Sequence, residues 1–239
     1  MPCPLCHCPP ATVLGEKNGY IIVACGHCGL RHVRDMPDRE TLAAFYAQYH
    51  GNAKNVRNAT RKRRRWQRKL WPLKFLASGR SFLDVGCNTG FAVEAARRLG
   101  FEATGYDLSD EAIEYARRAY PANTFQQGTA QTAAETGGRY DVVLCAEMIE
   151  HLTELDSFAD ALARLVRPGG ILYLTTPDTG HWRTPKNLLA WKEVCPPHHL
   201  VYFNRDQIRR LLETAGFRVS CFLPVLHKPS VRVIARRAL

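Results

Sequence analysis

The spacing of apolar residues changes three times along the chain. Val13 to Val23 predicts a short β-hairpin. Pro37-Asp38 predicts the start of a helix that runs through Tyr49, with Leu42, Phe45, Tyr46 and Tyr49 on one side, and Gly51-Asn52 breaks it. Trp66 and Leu70 are one helical turn apart, so a second, amphipathic helix is expected there, ending near Pro72. From Ser81 onward, strands and helices alternate. Strands are predicted at Ser81 to Val85, Glu102 to Tyr106, Thr124 to Gln126, Tyr140 to Ala146 and Ile171 to Thr176. Helices are predicted at Phe91 to Leu99, from Ser109 to about Tyr120, at Leu155 to Leu165 and from Asn204 to Ala215. Phe217 to Leu223 and Ser230 to Ala235 close the pattern as a hairpin. Val142 to Ala146 is apolar on both faces, as a central parallel strand must be.

This alternation predicts an α/β fold with a doubly wound, mostly parallel seven-stranded sheet. Three parts are expected: a small module over residues 1–34, a helical connector over 35–78 and the α/β domain over 79–239. No internal repeat or low-complexity linker interrupts them.

The charge belongs to one segment. The chain has 239 residues, 46% hydrophobic, and a formal net charge of +11. Lys54 to Lys74 holds ten Lys and Arg residues and no acidic residue, and removing those ten leaves the remaining chain at +1. The segment is either a solvated face or a contact for phosphates of a substrate or RNA, or for an acidic membrane surface. No RNA-binding signature accompanies it, so nucleic acid is the less favoured partner. No run approaches the length of a membrane span, and no basic-apolar-small pattern opens the chain, so a cytoplasmic protein is expected.

Five of the nine cysteines lie before residue 29. Cys3-Pro-Leu-Cys6 and Cys25-Gly-His-Cys28 are two knuckles with eighteen residues between them. Each presents two sulfurs from one tight turn, which suits a closed, structural zinc site of four thiolates. His7, Cys8, His27 and His32 are spare candidates.

The stretch Phe82-Leu-Asp-Val-Gly-Cys-Asn-Thr-Gly90 is a strand, a glycine turn and a helix start. Asp84 lies near the strand end and Asp107 follows about twenty residues on. Glycines let a backbone approach a ligand, and carboxylates accept from ribose hydroxyls, so this is a nucleotide-binding corner. The turn does not fit the GxGxxG spacing of dinucleotide folds. It resembles the DxGxGxG corner of class I S-adenosylmethionine-dependent methyltransferases, with Asn88 in place of the middle glycine, a residue that tolerates left-handed backbone angles. Tyr106-Asp-Leu-Ser109 resembles that family's second motif, Tyr140 to Leu152 its fourth-strand motif and Leu165 to Leu172 the approach to its fifth strand. With the cysteine knuckles, Pro197-His-His-Leu-Val-Tyr-Phe203 and Gly216-Phe217, the chain resembles a zinc-ribbon subgroup of that Rossmann-like family.

The resemblance implies roles. Gly86, Cys87, Asn88 and Gly90 would pass close to the methionine part of S-adenosylmethionine, and Asp84 would lie at its amino group. Asp107 would take both ribose hydroxyls, Leu108 would line the adenine, and Gly128-Thr129-Ala130 would meet its edge. The family often has Asp where Thr129 stands. Ala146 and Glu147 would lie beside the sulfonium. Methyl transfer to a hydroxyl is helped by a base, and histidine suits neutral pH. His151, His198 and His199 are the candidates, with His181 nearby in sequence; each can instead brace a loop. Trp182, Trp191, Tyr202 and Phe203 either line an acceptor pocket or pack in the core. The expected activity is methyl transfer to a small molecule, in particular a sugar, nucleotide-sugar or secondary-metabolite hydroxyl, on an acceptor that can carry phosphate. The alternatives are a tRNA or rRNA methyltransferase and a non-catalytic S-adenosylmethionine-binding partner protein.

Overall fold

The computed structural model describes residues 2–48 and 58–239. Tyr49, the expected break at Gly51-Asn52, and Lys54 and Arg57 of the basic segment lie outside the described residues. The chain divides into two compact units: residues 1–48, 147–159 and 174–234 form the first, and 49–146, 160–173 and 235–239 the second.

The first unit holds a four-stranded sheet. β1 (Pro10–Lys17) and β2 (Tyr20–Cys25) form the expected hairpin, with Gly19 at φ 81° and Asn18 at φ 52° in the turn. Both turn positions need the left-handed region, which Asn and Gly enter at least cost. β3 (Arg31–Val33) pairs antiparallel with β2 and also with β9 (Val201–Tyr202), in the order β1-β2-β3-β9. The β9 strand was not legible in the sequence, because two residues inside the unbroken apolar run Leu200 to Phe203 show no alternation. Side-chain bonds extend the same weave: Lys17 Nζ donates to Leu189 O (2.7 Å), Asn18 to Pro196 O (2.9 Å) and Gln207 Nε2 to Cys28 O (3.1 Å). Helix α1 (Arg39–Gln48) starts where Asp38 Oδ1 accepts the Thr41 amide (2.7 Å).

The second unit carries the strands that form the centre of a seven-stranded sheet, ordered β10 (Phe217–Phe222), β11 (Ser230–Arg237), β8 (Val166–Pro177), β7 (Tyr140–Ala146), β4 (Ser81–Val85), β5 (Glu102–Asp107) and β6 (Thr124–Gln127). β4 (Ser81–Val85) pairs in parallel with β5 (Glu102–Asp107) and β7 (Tyr140–Ala146), and β5 with β6 (Thr124–Gln127). Val142 to Cys145 are fully buried, which accounts for their two-faced apolar pattern. Helix α2 (Ala59–Leu70) and the short α3 (Leu73–Leu76) precede β4. The helices α4 (Phe91–Arg98), α5 (Asp110–Ala119) and α6 (Ala130–Glu135) follow β4, β5 and β6 in turn. Ser109 caps α5 as expected, accepting the Ala112 amide at 3.2 Å.

Helix α7 (Leu155–Leu165) leads straight into β8 (Val166–Pro177), which begins five residues before the expected start. Arg167 pairs with Asp141 (3.1 Å) and Arg236 donates to Gly169 O (3.0 Å), so neighbouring elements hold the Pro168-Gly-Gly stretch in the ladder. After α8 (Arg205–Thr214), β10 (Phe217–Phe222) and β11 (Ser230–Arg237) are sheet neighbours, as the hairpin pattern predicts. Among the described residues no helix is long and apolar enough to cross a membrane.

Gly105 sits in β5 where a Cβ would lie 2.7 Å from Cys87 Sγ and 2.9 Å from Val93 Cγ2. Gly105→Ala is therefore expected to cost about 1–3 kcal/mol through overpacking. Urea unfolding checks this; an unchanged midpoint would show that the turn carrying Cys87 moves freely.

Candidate functional site

The corner after β4 is built by backbone. Gly86 (φ 77°), Asn88 (φ 46°) and Gly90 (φ 78°) are all left-handed. The Gly86 and Cys87 amides both donate to Tyr106 O, at 2.8 and 2.9 Å, which fastens the turn to the end of β5. The Asn88 amide donates to Asp107 Oδ2 (2.8 Å) and the Ser109 amide to Asp107 Oδ1 (2.9 Å). Each carboxylate oxygen thus accepts at least one amide and keeps acceptor capacity for a ligand. Asn88 Oδ1 accepts the Thr89 amide (2.7 Å), so Asn supports its own left-handed bend.

Asp84 is buried and makes no side-chain hydrogen bond among the described residues. Burial, and then the charge of Asp107, push its carboxyl up to about 8. Burial also raises Asp107, against the amides of Ser109, Asn88 and Leu108. A buried acid and a half-buried one, both with unused acceptor capacity, are matched by a ligand bearing an ammonium and hydroxyl donors. Leu108 beside them is 67% exposed, as a residue lining a planar ligand can be. Cys87 is buried. Thr129 caps α6, accepting the Thr132 amide at 3.1 Å, and Ala130 behind it is buried, so the Thr129 hydroxyl is engaged within its own helix turn. Ala146 ends β7.

The first unit gathers a different set of groups. Glu147 has φ 54°; its amide donates to Thr175 O (2.8 Å), and its carboxylate accepts from Thr175 Oγ1 (2.9 Å) and pairs with Lys228 Nζ (3.0 Å). Lys228 lies in the segment between β10 and β11 and belongs to no motif that would have drawn attention to it. Glu150 is buried, with Oε2 accepting from Thr176 Oγ1 (2.8 Å) and Oε1 unpartnered. Burial and then the nearby Glu147 push its carboxyl up to about 8. The backbone of Glu150 accepts the Leu200 amide (2.8 Å), tying the 3-10 turn Ile149–His151 to the segment before β9.

That tie brings His151, His198 and His199 together. One nitrogen from each lies within 4.8 Å of the others, and the ring centroids are 4.5 to 4.8 Å apart. His151 Nδ1 donates to His198 O (2.5 Å) and His199 Nδ1 to Glu193 O (2.7 Å). A carbonyl can only accept, so both rings carry a proton on Nδ1, and the Glu147 backbone also acts on the His151 ring. Burial, followed by the charge of His151, lowers His198 to about 4 and His199 to about 3; burial also lowers His151. All three are therefore neutral at pH 7. Such a group can accept a proton or hold a divalent transition ion, since ligating histidines usually donate their other N–H to a backbone carbonyl. His181 is elsewhere, bonded to Val225 O (2.7 Å). Trp191, Tyr202 and Phe203 are core residues, whereas Trp182 is 74% exposed.

Cys3, Cys6, Cys25 and Cys28 present four sulfurs within 4.8 Å of one another. Cys3 Sγ lies 3.5 Å from Cys28 Sγ and Cys6 Sγ 3.4 Å from Cys25 Sγ. Zinc–sulfur bonds of about 2.3 Å in a tetrahedron put sulfurs roughly 3.8 Å apart, so the set fits such an ion. The two knuckles match each other: the His7 amide donates to Cys3 O and the Gly29 amide to Cys25 O, both at 2.9 Å. His7 (φ 59°) takes the left-handed place that Gly29 (φ 68°) takes in the second knuckle. Of the spare candidates, His32 is buried with Nδ1 bonded to Val33 O (2.8 Å).

Residues 57–221 match the family model described as a methyltransferase domain. A ubiquinone biosynthesis O-methyltransferase of Proteus mirabilis is 40% identical over 103 residues, covering 41% of this chain and 42% of that protein. Its counterpart from Bordetella avium is 36% identical over 123 residues, covering 46% of each. The aligned part of the chain spans less than half the length of these two relatives. Among solved structures, a magnesium protoporphyrin IX methyltransferase from Synechocystis with bound S-adenosylmethionine superposes with a TM-score of 0.59, at 19% identity, over 84% of this chain and 98% of that one. A methyltransferase from Archaeoglobus fulgidus gives 0.58 at 15% identity, over 73% and 94%. At these identities the likeness is one of fold.

The histidine cluster predicts acid lability. The unfolded chain protonates these rings near pH 6.5, but folded His198 and His199 only near pH 4 and 3. Their contribution is complete above about pH 6.5 and is lost as the pH falls below it, because the unfolded state then binds more protons. His199→Gln should flatten the fall in stability between pH 7 and 5. Parallel urea titrations at the two pH values check this, and an unchanged slope would place the acid sensitivity elsewhere.

Proposed function

Because the chain belongs to the methyltransferase-domain family, we propose that it methylates a hydroxyl of a small molecule with S-adenosylmethionine as donor. The observation that carries this reading is Asp107, whose two carboxylate oxygens are aimed by the Asn88 and Ser109 amides beside a left-handed turn. A carboxylate so held suits the paired hydroxyls of a ribose. The names of the curated relatives, both O-methyltransferases, support oxygen as the methylated atom. Within small molecules, a sugar, nucleotide-sugar or secondary metabolite is the class favoured here.

When bound, the cofactor supplies a methyl group already activated by the sulfonium charge. The chain's task is to bind, orient and handle one proton. Asp107 would hold the ribose, Asp84 the amino group, and Gly86, Cys87, Asn88 and Gly90 would supply close backbone. Leu108, Thr129 and Ala130 would border the adenine, and Ala146 and Glu147 the methionine end. His151, fixed by the His198 carbonyl, would take the acceptor's proton on Nε2. His198 and His199 would keep that ring oriented and neutral. The four knuckle cysteines would hold a structural zinc.

Asp107→Ala is expected to abolish S-adenosylmethionine binding by calorimetry. His151→Ala should leave that binding intact and lower kcat by roughly 100-fold or more. Binding that survives in the first variant would remove the cofactor assignment, and full activity in the second would remove the base.

A second reading of the histidines is favoured by their donor spacing: the three rings take a divalent transition ion. Metal analysis of purified protein separates the two. Cys25→Ser should lose one equivalent of zinc relative to the unaltered chain. If His151→Ala loses another, the ion reading stands; if it loses none, the base reading does.

A further inference from the structure

Helices α2 and α3 carry a surface that the proposed reaction does not use. Arg61, Arg64, Arg65 and Arg68 are all exposed, and their spacing puts them on one side of α2. None of the four makes an ion pair or side-chain hydrogen bond among the described residues. Residues 58–76 include no Asp or Glu. The helical path continues past the end of α2, since Trp71 and Pro72 both have right-handed helical angles. Trp71 and Phe75 therefore prolong the row that runs through Arg64 and Arg68.

Both aromatic residues face solvent, Trp71 at 57% and Phe75 at 67%, and Leu76 beside them is 44% exposed. Trp71 and Phe75 pack edge to face, with centroids 5.0 Å apart. The other side of the same helices is occupied: Leu70 and Leu73 are buried, and Lys62 lies 5.4 Å from the Phe91 ring centroid of α4. The exposed row is thus not an unpacked core face. It is a second face, cationic along α2 and apolar at its end.

We propose that this edge is a docking surface for an anionic lipid bilayer. Arginines contact the phosphates of the headgroups, while Trp71, Phe75 and Leu76 enter the boundary between headgroup and acyl chain. The chemistry fits on two counts. Rows of unneutralised Lys and Arg are drawn to anionic lipid surfaces. A cluster of Trp, Phe and Leu is the composition that interfacial helices insert. Single-stranded nucleic acid would also meet the cations, but it stacks bases on open ring faces. Here the two rings pack on each other, and the third apolar residue is aliphatic. The inference rests on α2 and α3 alone and is independent of the acceptor and of the histidine cluster.

The test is co-sedimentation of the full chain with vesicles of phosphatidylcholine alone or mixed equally with phosphatidylglycerol. At low salt the protein should partition to the mixed vesicles at least about tenfold more strongly than to the neutral ones, with partition falling as salt screens the arginines. Changing Arg61, Arg64, Arg65 and Arg68 to Gln should reduce that partition by at least about tenfold. Trp71→Ser with Phe75→Ser should reduce it too, and should remove the blue shift of tryptophan emission seen on binding. Circular dichroism and S-adenosylmethionine titration show that each variant is folded. Equal partition to both vesicles, undiminished binding by the Gln variant, or displacement from mixed vesicles by a short single-stranded RNA would each overturn the proposal.

Discussion

The second unit depends on one carbonyl. Tyr106 O at the end of β5 receives the amides of both Gly86 and Cys87, at 2.8 and 2.9 Å. With the Asn88 amide on Asp107, this binds the turn after β4 to the residue that follows Tyr106. Three left-handed residues are then unavoidable, and two of them are glycine. Gly90 hands the chain to α4 in a conformation a bulkier residue would resist, and a Cβ there would also lie 2.8 Å from the Phe125 ring. The same fastening keeps Asp107 close enough to Asp84 that its charge adds to burial in raising the Asp84 carboxyl. The corner thus holds two carboxyl groups with open acceptor sites in a poorly solvated place, the condition in which a ligand's ammonium and hydroxyl groups gain most.

The first unit depends on a different constraint, the long-range pairing of β3 with β9. Arg31 and His32 lie opposite Tyr202 and Val201. Leu200, just before, donates to Glu150 O, and Tyr202 OH donates to His199 O at 2.7 Å. These bonds carry the His198–His199 pair to His151, about fifty residues earlier in the chain. The cysteine knuckles brace β2 and β3 from the other end. The four thiols and the three imidazoles are therefore linked through one small sheet.

The charge distribution separates two uses of basic residues. Arg97 and Arg98 pair with the buried Glu94, and Arg167 with the buried Asp141, so they stabilise the fold. The exposed arginines of α2 have no ion-pair partner among the described residues, and α2 and α3 are retained through Leu70 and Leu73 on their inner side. A helix end that leaves Trp71 and Phe75 in water is costly unless something else covers it. Its charge was visible in composition. Its apolar end became visible only when burial separated Leu70 and Leu73 from Trp71, Phe75 and Leu76.

Local chemistry was legible in the sequence wherever it repeats at short range. Strand and helix periods, the capping Ser109 and Asn204, the glycine turn with Asp107 and the paired CxxC spacing all act within a few residues or within one βα unit, so the sequence by itself determined the fold class, the left-handed turn beside Asp107 and the four-thiol cluster. Asn88 in place of a glycine cost nothing, because its side chain supports the bend it makes. What the tertiary structure decided is whatever depends on contacts between distant segments. The β9 pairing, the start of β8 at Val166, the orphan Glu150 oxygen and the Glu147–Lys228 pair have no local pattern. The grouping of His151 with His198 and His199 is of the same kind. Sequence could nominate these histidines as candidates, but their tautomers and neutrality come from the His198 and Glu193 carbonyls and from burial. Those are properties of the packed chain, because a ring's proton is placed by whichever acceptor the fold sets against it.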